Sequence, residues 1–189
     1  MRVTFVKVGE RRYGVNVQRD EAPAMTVPYG APGYDDWLPH DLLHFVAEAE
    51  WQLDGAVFGR LAAGGDPGIF IPADPALIPK WMRRRRRAPK PHPKGRRSEL
   101  LAGILDDAWK ARRLGAPLPR GWAERLAAAR ADEPTLERAL AVLDELAPRW
   151  RALQVGGSLT VEWPRPEGRK RRPPRARRRP QRPGAVRPR

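Results

Sequence analysis

The chain has 189 residues, no cysteine, 37 Lys+Arg against 22 Asp+Glu, and a formal net charge of +15. The missing cysteine rules out disulfides, thiol nucleophiles and thiolate metal ligands. No run of about 18 apolar residues occurs, so a membrane-spanning helix is excluded; the opening Met1-Arg2-Val3-Thr4-Phe5-Val6-Lys7-Val8 alternates and is too charged for a signal peptide, and the expected location is the cytoplasm.

Residues 2–8 read as a strand, Gly9-Glu10 as a turn, and Arg12 to Gln18 as a second strand with Tyr13, Val15 and Val17 on one face. Ala24 to Val27 can add a short third strand, and Tyr29 to Asp36, rich in Gly, Pro and Asp, reads as loop. Pro39 opens a helix, because its missing amide costs nothing in a first turn. Leu42, Leu43, Phe45, Val46, Ala49 and Leu53 recur at helical spacing until Asp54-Gly55. Ala56 to Ala63 forms a second short helix, Gly68 to Pro72 a single extended piece, and the apolar Ala76-Leu77-Ile78 and Trp81-Met82 close the first half.

Residues 82–97 read as a flexible linker. Beyond it, Ser98 is placed to cap a helix whose face is Leu101, Ile104, Leu105 and Ala108, stopped by Gly115. Gly121 to Ala131 forms another. Asp132 caps a third, carrying Leu136, Leu140, Leu143, Leu146 and Trp150, which Pro148 is expected to kink or end. Ser158 to Trp163 alternates as a final strand. A lone end strand is unstable, so 158–163 is expected to pair with the N-terminal hairpin. The expected class is α+β, a small antiparallel sheet closed by a C-terminal strand with helices between. Segments 1–81 and 98–163 would form one domain, the alternative being two modules, and 164–189 is a disordered tail.

The charge is segregated. Lys80 to Arg97 carries +10, Arg165 to Arg189 carries +11, and the remainder carries −6. Both basic segments are interrupted by prolines, which block helix and sheet, and like charges at this density repel. Arginine predominates, and its planar fork pairs bidentately with phosphate. Candidate polyanion-binding residues are Arg83, Arg84, Arg85, Arg86, Arg87, Arg96 and Arg97 in the linker, and Arg169, Lys170, Arg171, Arg172, Arg175, Arg177, Arg178 and Arg179 in the tail. The expected partner is nucleic acid or another polyanion, bound electrostatically and without sequence preference. GC-rich codon usage offers the plainer account of the same composition. A further reading is an adaptor that docks a protein partner through exposed Trp37, Trp51 or Trp122.

One constellation carries chemistry. His40, His44 and Glu48 are spaced four apart on the first helix and so share one face. Two imidazoles and a carboxylate suit Zn²⁺, Mn²⁺ or Fe²⁺ with positions left open for water. A metal-dependent hydrolase would use them as ligands, with Asp41 as the nearest base. A structural hydrogen-bonding role and a plain solvated face are the other readings. Trp51 falls among the histidines, so something covers that face: the 34–37 loop or the second half of the chain. The only serines, Ser98 and Ser158, sit in no nucleophile elbow, and there is no Walker or dinucleotide motif.

The run Pro39-His40-Asp41-Leu42-Leu43-His44-Phe45-Val46-Ala47-Glu48 resembles a group of uncharacterised bacterial proteins from GC-rich genomes that share P-H-D-L-x-H-F-V-x-E near the N-terminus. The likeness spans Tyr34 to Gly65 and takes in the strand before Trp163-Pro164; it implies architecture and no activity. The H-D-x-x-H pattern is also similar to that of the zinc-motif family of ubiquinone biosynthesis, which places a Glu where this chain has Ala56. HD-domain phosphohydrolases need a histidine before His40, and HExxH peptidases a Glu in place of Asp41; this chain has neither.

Overall fold

Strands β1 (Arg2–Gly9) and β2 (Arg12–Gln18) form the hairpin that the alternation requires. Their register sets Val3 opposite Val17 and Phe5 opposite Val15, so the apolar residues of both strands share one face. A computed structural model of the chain describes residues 1–20, 22–27, 31–32, 37–85 and 95–164. Tyr34 to Asp36, Arg86, Arg87, His92 and the tail from Arg165 lie outside the described residues.

The remaining strands are short: β3 (Met25–Thr26), β4 (Ala31–Pro32), β5 (Ile71–Pro72) and β6 (Ser158–Glu162). The sheet is antiparallel with order β5-β3-β2-β1-β6, and β4 pairs with β2 beside β3. The closing strand lands where the hairpin needs a partner: Val161 lies opposite Val3 and Leu159 opposite Phe5. The five-residue strand therefore completes the buried face begun at the N-terminus, and the fold is α+β.

The helices are α1 (His40–Glu50), α2 (Val57–Ala62), α3 (Ile78–Arg85), α4 (Gly95–Leu114), α5 (Trp122–Ala129) and α6 (Glu133–Arg151), with a 3₁₀ turn at Pro75–Leu77. One buried apolar cluster joins the sheet face (Val3, Phe5, Tyr13, Val15) to α1 (Leu42, Phe45, Val46), α4 (Leu101, Ile104, Leu105, Trp109) and α6 (Leu140, Leu143, Trp150). Asp132 caps α6 as its sequence requires, its carboxylate accepting from Thr135 N–H at 2.9 Å. Among the described residues no helix is long and apolar enough to cross a membrane.

Four expectations are corrected. Residues 82–85 and 95–97, expected within the linker, are helical: 82–85 complete α3 and 95–97 begin α4. Arg85 is held there by its stack on Trp81 and a bond to the Gly68 carbonyl. Ser98 is not an N-cap: α4 starts at Gly95, which places Ser98 in its first turn, buried. Pro148 does not break α6, since it falls in the last turn, and its carbonyl still accepts from Ala152 N–H. Trp37, Trp51 and Trp122 are not exposed anchors; all three are half-buried against the core, Trp37 edge-on to Trp109 with centroids 5.9 Å apart.

Candidate metal centre

The i, i+4, i+8 spacing sets His40, His44 and Glu48 on one side of α1. That side faces α4, so the second half of the chain is what covers it. His44 and Glu48 are buried, whereas His40 is exposed.

Glu48 is fully buried and accepts four hydrogen bonds. Val57 N–H donates to Oε1 at 3.0 Å; Phe58 and Gly59 N–H donate to Oε2 at 2.6 and 3.0 Å. Ser98 Oγ donates to Oε1 at 2.9 Å. The three amides form the first turn of α2, whose own N-cap residue, Ala56, supplies no side-chain bond. Glu48 is thus a cap donated by a neighbouring helix. Burial pushes its carboxyl above the usual carboxylate range, and the four donors pull it back.

α2 approaches closely enough only because residue 59 has no side chain. A Cβ there would lie 1.9 Å from the Leu53 carbonyl oxygen and 2.7 Å from its carbon. Gly59→Ala must therefore push α2 off the Glu48 carboxylate, at an expected cost of about 1–3 kcal/mol. Urea denaturation checks this; wild-type stability in the variant would refute the packing described.

The amides can only donate, and this sets the direction of the chain of bonds beyond Glu48. With the Ser98 proton directed to Glu48, Ser98 Oγ accepts from His44 Nδ1–H at 2.8 Å. The network assigns that tautomer, which leaves His44 Nε2 an acceptor, and His40 Nε2–H donates to it at 3.0 Å. Burial pushes the His44 imidazole below the usual histidine range, as does His40 beside it; Glu99 and Asp41 oppose them. His44 is thus held neutral, oriented and ready to donate an electron pair from Nε2.

At that lone pair stand His40 Nε2, 3.0 Å away, and Glu99 Oε2, 3.4 Å away. One ligand atom from each of His40, His44 and Glu99 can be chosen so that all lie within 4.8 Å of one another. Two donors about 2.05 Å from one ion stand about 2.9 Å apart at a right angle and about 3.3 Å apart at the tetrahedral angle. The two separations from His44 Nε2, 3.0 Å to His40 and 3.4 Å to Glu99, match these values. The buried His44 anchors the group, while His40 and Glu99 leave it open to solvent.

The structure therefore brings His40 and His44 together but separates Glu48 from them by one link, Ser98. Glu99 stands where Glu48 was expected, because Glu48 is drawn to the amides of α2. Asp41 is not aimed at the group either. Its N–H donates to Tyr13 Oη at 3.2 Å, and its carboxylate bonds the phenol, which burial and Asp41 together hold well above its usual range. Glu99 had no signal of its own in the sequence, and Ser98 only that of a helix cap; they meet α1 only through the crossing of two helices some fifty residues apart.

Among the called cations, Arg83 and Arg84 are exposed, Arg96 is exposed, and Arg97 is half-buried against α5. Comparison with protein-family models, with curated proteins and with solved structures returned no match.

Proposed function

We propose that the chain binds one divalent transition-metal ion, of the Zn²⁺, Mn²⁺ or Fe²⁺ class, through His40, His44 and Glu99. The observation that carries this reading is the His44 lone pair, held by Ser98 and Glu48 and met by two further donors at 3.0 and 3.4 Å. A ligand imidazole whose other nitrogen is tied to a hydroxyl and then a carboxylate is the usual outer arrangement of metal-bound histidine. Three protein ligands leave positions for water, as in catalytic rather than structural sites. An ion so held would supply a bound water with pKa near about 7, and the reaction class is hydrolysis. The chain's own part is to orient His44, keep its Nε2 unprotonated and leave the His40–Glu99 side open to substrate.

Titration of the full chain with Co²⁺ tests this. A d–d spectrum saturating at about one equivalent and displaced by Zn²⁺ is the expected result. No spectrum, or binding unaffected when Glu99 is changed to Gln, would end the proposal.

A second reading rests on a separate observation: the exposed Arg83 and Arg84 have no carboxylate partner among the described residues. We propose that the two Arg-rich segments hold polyanions, nucleic acid foremost. If about eight arginines meet phosphates, log K against log salt on duplex DNA slopes near about −7. Anisotropy with the full chain and with 165–189 removed measures it; equal affinity of the two would refute it.

A further inference from the structure

Beside the histidine face, at the C-terminal end of α1, lies a cleft of about 710 Å³ between the α1–α2 turn, the start of α4 and the end of α5. That is the size of a site for a small organic ligand. Among the described residues, Arg96, Arg97 and Arg130 line it, and Asp54 is the one acidic residue there. Leu53 and Leu100 form an apolar wall, and Leu100 is 37 % exposed.

Some arginines elsewhere are neutralised by a carboxylate. Arg112 pairs with Glu137, Arg125 with Asp107, Arg138 with Glu50 and Arg149 with Glu145. Arg96 and Arg130 have no carboxylate partner among the described residues. Arg97 is fixed in place: its Nε donates to the Ala129 carbonyl at 2.9 Å and its Nη2 to the Arg130 carbonyl at 3.1 Å. Those bonds also hold the turn in which Arg130 adopts φ 51°, a left-handed conformation that costs a non-glycine residue about 1–2 kcal/mol. Arg130 is the left-handed C-cap of α5, which sets it beside Arg97 at the cleft.

We infer that this cleft binds a phosphate-bearing small molecule, its phosphate between Arg96 and Arg130 and its apolar body on Leu53 and Leu100. Planar guanidiniums match phosphate bidentately, and an anion relieves the mutual repulsion of the three cations. Arg96 precedes Glu99 by three residues on α4, which puts their Cβ atoms about 5–6 Å apart. A phosphate held by Arg96 therefore lies within one helical turn of the proposed metal ligand. The site itself requires no metal, so the two readings stand or fall separately.

The test is calorimetric titration of the full chain with ADP, and with inorganic pyrophosphate, in EDTA. The expected result is one equivalent of ADP, competed by pyrophosphate. In Arg96→Glu/Arg130→Glu the affinity should fall about tenfold or more per guanidinium, the worth of a charge-assisted bond. The control Arg12→Glu/Arg120→Glu changes net charge equally on exposed residues outside the cleft and outside the Arg-rich segments, and should lose less than about threefold. Equal losses in the two variants, or no heat with either probe at millimolar concentration, would each overturn the inference.

Discussion

Glu48→Ala is expected to lower the stability of the fold by about 3–5 kcal/mol, since several buried donors would lose one shared acceptor. Three amides at the start of α2 and the Ser98 hydroxyl would lose their acceptor inside the protein. Each buried donor left unmet costs about 1–3 kcal/mol, partly offset because the carboxylate's own desolvation is relieved. For a chain of this size about 2–4 °C of Tm accompanies each kcal/mol, so a fall of about 6–20 °C should appear in a thermal scan. Glu48→Gln should cost less than alanine, since it keeps the volume and one acceptor oxygen. A Glu48→Ala protein within about 1 kcal/mol of wild type would mean that α2 does not depend on this cap.

His44→Ala is expected to abolish stoichiometric metal binding, and Ser98→Ala to weaken it about 10–100-fold with all three ligands still present. The second effect separates a metal centre from a merely structural polar cluster. Ser98 touches no ion in the proposed site; it acts by holding His44 Nδ1–H and so leaving Nε2 unprotonated. Glu48→Gln sharpens the comparison. An amide nitrogen facing Ser98 would turn the hydroxyl toward His44 Nδ1 and move the imidazole proton to Nε2, where it blocks the ion. Metal affinity should therefore fall in Glu48→Gln by more than its stability does. Chelator competition measures affinity, and urea denaturation of the apo chain measures stability. If Ser98→Ala binds metal as tightly as wild type, the bond chain does not position His44.

The histidine face was legible because period and spacing are local. His40, His44 and Glu48 recur every four residues, and Trp51 among them already required a cover. The identity of the third donor was not legible. A carboxylate goes where its bonds are strongest, and three convergent amides outweigh two histidines for Glu48. That choice exists only once α2 has folded back onto Leu53, which in turn needs Gly59. Glu99 becomes a neighbour of His44 by the crossing of α1 and α4. Ser98 was singled out for its capping chemistry, and its hydroxyl is indeed used within the first turn of a helix, but by side chains of α1 rather than by its own backbone. Residues 82–85 fell within the expected linker because arginine runs read as solvated chain, whereas Arg85 finds an aromatic face and a carbonyl and extends α3.

From sequence alone came the hairpin, the closing strand, the amphipathic faces of α1, α4 and α6, the Asp132 cap and the segregation of charge. All of these follow from alternation, helical period, capping chemistry or composition, which depend on residues close together in the chain. Only the tertiary structure decided which carboxylate caps α2, which stands beside the histidines, and which arginines share a cleft. Those are competitions among distant groups for the same hydrogen bonds and the same space, and their outcome is set by how helices cross.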